Sequence, residues 1–214
     1  MNLIKYSLFF SIFIQIITLI INIYALFYSS TKYFLNKLLS LELFVQIIEG
    51  SFYLYWYKHF SQIKNVTPFR YIDWAISTPA MLITLILYIA NPNLKSKSSW
   101  ISILFREISW ISIVLILNWI MLLFGYLGET NKMSINLSVF LGFIPFIIYF
   151  GIIYFVYVKS FNRGYDLFYY FVFSWALYGI SALFPYKTKN SIYNILDLFS
   201  KNFFIVFLLY KTLF

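Results

Sequence analysis

Seven long apolar runs follow one another along the chain, separated only by short polar or charged breaks. This pattern most constrains the fold. A helix needs about 20 mostly apolar residues to cross a bilayer. The runs are Leu3–Ser29, Leu35–Phe60, Phe69–Ala90, Ile103–Gly128, Ile135–Lys159, Leu167–Phe184 and Ser191–Phe214. The breaks read "SSTKYF", "SQIKNVTP", "NPNLKSKSS", "ETNKMS", "KSFNRGYD" and "PYKTKN". None has room for a second domain, so residues 1–214 form a single unit. The runs are continuous and far exceed the roughly ten alternating residues of a barrel strand. The expected fold is an all-α membrane protein, a seven-transmembrane-helix bundle. The first run is too long for a signal-peptide core and lacks a small-residue cleavage site.

Composition supports lipid as the main solvent. Hydrophobic residues make up 62% and charged residues 11%, against about a quarter charged in a soluble domain. The net charge of +9 sits mostly in the breaks, as membrane-flanking charge, and no nucleic-acid partner is expected. There is no cysteine and a single histidine, His59, so thiolate, disulfide and histidine-based metal sites are not expected. No nucleophile–base pair stands out, and an enzyme is not expected. Eight basic residues (Lys32, Lys37, Lys95, Lys97, Arg106, Lys159, Arg163, Lys211) fall on one side and six (Lys5, Lys58, Lys64, Lys132, Lys187, Lys189) on the other. The positive-inside rule then puts the N-terminus outside.

Charge inside the runs is the next constraint, because an intramembrane ionisable group marks function by default. The seventh run carries Asn194, Asp197 and Lys201 on one narrow face, and the third carries Arg70, Asp73, Ser77 and Thr84. The second carries Glu42, Gln46 and Glu49; the first carries Ser11, Gln15, Thr18 and Asn22. The middles of the other three are apolar and aromatic, apart from Asn118. Taken singly, Ser11, Thr18, Gln46 and Ser77 also suit hydrogen-bonding glue between helices. The charged set asks for more. Asp73, Asp197, Arg70 and Lys201 sum to zero, which fits counter-charges around a buried cation. A lysine in an apolar pocket is also the usual amine for an imine with an aldehyde. Trp74, Trp175 and Tyr178, with Met121 and Gly125 one turn apart, offer walls for the rest of such a ligand, although each aromatic alone also fits plain packing.

These residues resemble those of the microbial (type 1) rhodopsins across most of the chain. The last-helix pattern D-x-x-x-K matches Asp197 and Lys201. The third-helix pattern R-Y-x-D-W-x-x-(T/S)-x-P matches Arg70, Tyr71, Asp73, Trp74, Ser77 and Pro79, and the sixth-helix W-x-x-Y matches Trp175 and Tyr178. "MLLFGYLGE" looks like the fourth helix of proteorhodopsin-type proteins. The resemblance implies the microbial rhodopsin fold and all-trans retinal held on Lys201 as a protonated Schiff base. It makes Asp73 the primary counterion and proton acceptor and Asp197 the second counterion, with Arg70 below them. Ser77, Trp74, Met121, Gly125, Trp175 and Tyr178 would complete the retinal site. The family's sixth helix continues with Pro and a second Trp where this chain has Gly179 and Ala182, a departure that bears on pocket shape and colour.

Within the family, proton pumps usually place a carboxylate eleven residues past the acceptor; here that position is Thr84. Two glutamates seven apart in the second run, Asn194 before Asp197, and Asn202 after the lysine resemble the group-one viral rhodopsins of giant algal viruses, which are light-gated cation channels. That resemblance implies a polar path between the first, second, third and seventh helices along Ser11, Gln15, Glu42, Gln46, Glu49, Arg70, Asn194 and Asn202. It further implies monovalent cations or protons as the transported species, sensitivity to calcium, and residence as a multi-pass protein in a host cell membrane. An oligomer is compatible with it. The alternatives are an outward proton pump with a slow photocycle and a sensory rhodopsin.

Overall fold

The computed structural model describes residues 2–28, 33–91 and 100–213. Seven helices run through them. They are α1 (Asn2–Tyr28), α2 (Tyr33–Lys58), α3 (Thr67–Ala90), α4 (Trp100–Glu129), α5 (Ile135–Phe161), α6 (Tyr165–Ser181) and α7, which begins at Tyr186 and ends at Leu213. Six are long and apolar enough to span a membrane. At 17 residues, α6 lies at the short end of the spanning range of about 17–25. Each helix packs on its neighbours in sequence, and α7 returns to α1 and α2 to close the ring.

The helices are not equivalent. Of the spanning windows, 78% of α3 and 67% of α7 is buried, against 33% of α1 and 22% of α4. Arg70 and Asp73 on α3 and Asp197 and Lys201 on α7 thus sit on the two most buried helices. Apolar outer faces meet lipid at no cost, so charge collects where protein surrounds it.

Pro79 lies inside α3 and has no N–H to give to the carbonyl of Ala75, four residues back. The indole Nε1–H of Trp119 on α4 donates to that carbonyl at 2.9 Å. Next to it, Thr78 donates to the Trp74 carbonyl at 2.6 Å and accepts from Asn118 at 2.8 Å. The helix break and the isolated Asn118 thus answer each other, and α3 is joined to α4 there. Two π-helical stretches interrupt the α-helices, Ile153–Val158 in α5 and Leu198–Asn202 in α7. The second contains Lys201. The α5–α6 turn uses left-handed backbone at Asn162 and Gly164, and a Cβ at Gly164 would come within 2.9 Å of Ile89.

Most helix boundaries fall within two or three residues of the sequence expectation. The seventh departs: α7 begins at Tyr186, inside the break read as "PYKTKN". Lys189 looked like a loop charge. It is buried on α7 and donates to both oxygens of Glu129, the last residue of α4, at 2.7 and 2.8 Å. Paired charge is tolerated in a helix end that an unpaired charge would have kept in water. The loop lysines Lys32, Lys95 and Lys97 and the side chain of Lys211, used for the orientation reading, lie outside the described residues.

Candidate functional site

The amine of Lys201 stands at the meeting point of α2, α3 and α7. It donates to Asp73 Oδ2 at 3.0 Å and lies 3.6 Å from Asp197 Oδ1 and 3.8 Å from Glu49 Oε1. All four side chains are buried. One α-helical turn would place Asp197 and Lys201 on the same face; the π-helical turn between them widens the helix at that point. Glu49 was expected along the ion path, not among the counterions. The structure brings it into the charge cluster, so three acids, not two, face two cations.

Arg70 supplies the second cation. Its Nη1 lies 3.2 Å from Asp197 Oδ2 and donates to Tyr53 at 3.2 Å, while Nε donates to Asn190 at 3.0 Å and Nη2 to Asn194. Its guanidinium sits 4.9 Å from the Trp56 ring centre. Asp197 is further held by hydroxyl donors from Tyr53 and, at 2.6 Å, from Tyr178. A carboxylate receiving this many donors is fixed in place, as a charge-assisted network requires. Asp73 Oδ1 and both oxygens of Glu49 have no hydrogen-bond partner among the described residues. Of the three acids, Asp197 is saturated and Glu49 is the least satisfied.

On one side of the amine the bundle is polar. Gln46 Nε2 donates to Thr18 at 3.0 Å and to Asn202 at 3.2 Å, and Asn22 donates to Gln46 at 3.3 Å. Toward Arg70, Ser11 donates to the Asn194 carbonyl at 2.7 Å. Gln15 lies between these groups in sequence, buried, and its amide has no partner among the described residues. Glu42 is buried beside Thr84, yet neither of its oxygens finds a partner of good geometry there. Of the residues expected to line a path, Gln46 and Asn202 join one buried polar group between α1, α2 and α7, Ser11, Asn194 and Arg70 join another, and Gln15 and Glu42 are buried without hydrogen-bond partners among the described residues.

On the other side the bundle is aromatic. A cavity ends at Lys201 and is lined by Trp74, Met121, Gly125, Trp175 and Tyr178, all anticipated from sequence. Ser77, also anticipated, is buried but lies off the lining; its neighbour Thr78 is on it. No lining residue was assigned on α5 from sequence, and the structure supplies Ser138, Val139, Gly142, Phe143 and Phe146. In a helix this uniformly apolar, only the backbone arrangement distinguishes the inward face. Gly179 and Ala182 line the cavity as well, and Phe143 fills the space beside Gly179, where a Cβ would meet its ring at 2.9 Å. The site fits a rod-like polyene with an aldehyde end. Rings form its walls. The amine is at one end. Among the described residues no cluster of His, Cys, Asp and Glu could hold a metal ion.

A family model described as bacteriorhodopsin-like protein matches residues 3–213. The chain finds no match among curated protein sequences. Among solved structures it is similar to the viral rhodopsin OLPVRII, with 28% identity, 99% of both chains covered and a TM-score of 0.84. It has the fold of a blue light-absorbing proteorhodopsin from Med12, at 19% identity and TM-score 0.77 over 98% of this chain and 96% of that one. It shares that fold with xanthorhodopsin, described as a light-driven ion pump with dual chromophore, at 16% identity and TM-score 0.78 over 99% and 92%.

Proposed function

The chain belongs to the bacteriorhodopsin-like family of microbial rhodopsins, whose members bind retinal through a Schiff base to a lysine, and from that premise we propose that it is a light-gated cation channel with Lys201 as the attachment site. One observation carries the reading: a buried polar network runs from Asn22 through Gln46 to Asn202, the residue after Lys201, and Glu49, three residues past Gln46 on α2, lies 3.8 Å from the Lys201 amine.

Retinal, when bound, supplies a light-driven change of geometry at the lysine nitrogen. The chain's residues do the rest. Asp73, at 3.0 Å, is the group placed to take a proton from that nitrogen. Asp197 stays fixed by Arg70, Tyr53 and Tyr178 and holds the remaining charge. A proton arriving on Asp73 removes one of the negative charges facing Lys201, and the poorly satisfied Glu49 is the acid freest to turn into this network. Carboxylates along a water-filled passage favour cations, and Glu49, Gln46 and Gln15 give such a passage its donors and acceptors. Trp74, Trp175 and Tyr178 keep water out of the other side. The resemblance to channel-forming viral rhodopsins adds monovalent cations as the transported ions, and calcium as a modulator.

A second reading has one specific support. Thr84 fills the position of a pump's internal proton donor, and Glu42 of α2 lies beside it. An acid delivered from another helix to the same place would return a proton to the lysine nitrogen and make the chain a slow outward proton pump.

Voltage-clamp recording of cells making the protein with added retinal separates the two. The expected result is a photocurrent that reverses with the cation gradient. Current of fixed direction at every voltage overturns the channel and favours the pump.

A further inference from the structure

A second cavity lies at the end of the bundle beyond Arg70. It is bounded by the start of α1, the α2–α3 turn and the first turns of α3 and α7. Its polar lining consists of Arg70, Lys64, Lys187, Trp56 and Tyr186, and the rest of the wall is aliphatic or aromatic. No acidic side chain lines it among the described residues. Two helix N-termini, at Thr67 and Tyr186, converge there, and neither has an acid in its first turn. Helix N-termini present positive partial charge. The ring of Trp56, a residue 1% exposed, forms part of the wall, and its Nε1–H has no hydrogen-bond partner among the described residues. Four bonds account for four of the five guanidinium N–H groups of Arg70, which leaves one on Nη2.

We propose that this cavity is a binding site for a small, weakly hydrated monovalent anion, of the halide or short organic carboxylate class. Charge sets the sign of the ligand. The wall sets its hydration, because a mostly apolar lining with two N–H donors does not replace the shell of a strongly hydrated anion such as sulfate. Lys64 and Lys187 are exposed at the mouth and gather the anion, while Trp56 and Arg70 hold it. Arg70 then lies between the anion and Asp197. Occupancy draws the guanidinium outward and loosens its hold on the acid beside Lys201, so the anion content of the medium is sensed at the charge cluster. The inference stands for a channel and a pump alike.

Iodide is the probe. Equilibrium dialysis of the purified full chain against labelled iodide, at constant ionic strength set with sulfate, is expected to give saturable uptake approaching one ion per chain. Bromide and nitrate compete and sulfate does not. Lys64→Gln with Lys187→Gln weakens iodide binding by about ten-fold, the combined effect of two partly exposed charges. Trp56→Phe keeps the ring under Arg70 and loses the N–H, and it also weakens binding. Competition on the unaltered chain needs no variant, so a variant that fails to fold does not rescue the idea. Uptake that rises linearly without saturating, competition by sulfate as strong as by bromide, or affinity unchanged in the double lysine variant each overturns the site. Running the dialysis with and without added retinal separates a failure of this site from a failure of pigment formation.

Discussion

The two sides of Lys201 are built by opposite rules. Toward α1, α2 and α7 the interior is a seam of amides, hydroxyls and carboxylates, several of them without partners. Toward α4, α5 and α6 it is a mostly apolar, ring-rich wall around one cavity. Buried polar groups left short of partners mark a place that admits water or changes partners. Close-packed rings mark a place that holds one shape. The lysine at the border couples them: a change of shape on the rigid side becomes a change of charge on the adaptable side.

Five substitutions test that contrast, taken from the largest expected effect. Lys201→Ala removes the border itself, and cells supplied with retinal should make no visible pigment. An intact visible band would separate the amine from the chromophore and leave the two sides unconnected. Gly125→Val attacks the rigid side. A Cβ alone would stand 2.6 Å from the Tyr71 ring, so overpacking of about 1–3 kcal/mol and slow, incomplete pigment formation are expected. Absorption after retinal addition measures it, and normal regeneration would mean the ring wall yields as readily as the seam.

Gln46→Leu attacks the adaptable side. It strips partners from Thr18, Asn22 and Asn202 and should lower stability by about 1–3 kcal/mol, read by thermal unfolding, with the visible band in place. A moved band would show that the seam shapes the chromophore site directly. Glu49→Gln keeps size and removes charge, so pigment should form while conductance or ion selectivity changes under voltage clamp. Unchanged currents would reduce the glutamate to a structural role. The smallest effect belongs to Trp119→Phe, which frees the Ala75 carbonyl at the Pro79 break. About 0.5–1.5 kcal/mol of stability should be lost, with colour and current retained.

The legible parts of the site share a property. Asp73, Asp197, Arg70 and Lys201 are charges inside apolar runs, so each announced itself against its background, and Trp74, Trp175 and Tyr178 became legible through the family patterns they share. The α5 lining did not. Phe143 and Phe146 are two aromatics among many on a helix with no charged residue in its middle to orient it. Glu49 was visible as a membrane carboxylate, but its nearness to Lys201 was not, because spacing along α2 says nothing of its rotation against α7. Lys189 and Glu129 failed for the opposite reason: each looks like loop charge until its partner on another helix is known.

The sequence by itself determined that this chain lives in a membrane as a seven-helix bundle with an amine and acids in its interior. Lipid forbids unpaired charge and open backbone so strongly that apolar length and intramembrane charge leave few alternatives. Only the tertiary structure decided that three acids rather than two surround the amine, that polar and aromatic sides divide at it, and that lysines at the bundle end close over a cavity. Those features depend on how each helix is turned toward its neighbours. In a chain this apolar, periodicity records that rotation weakly, because both faces of a helix are comfortable in lipid.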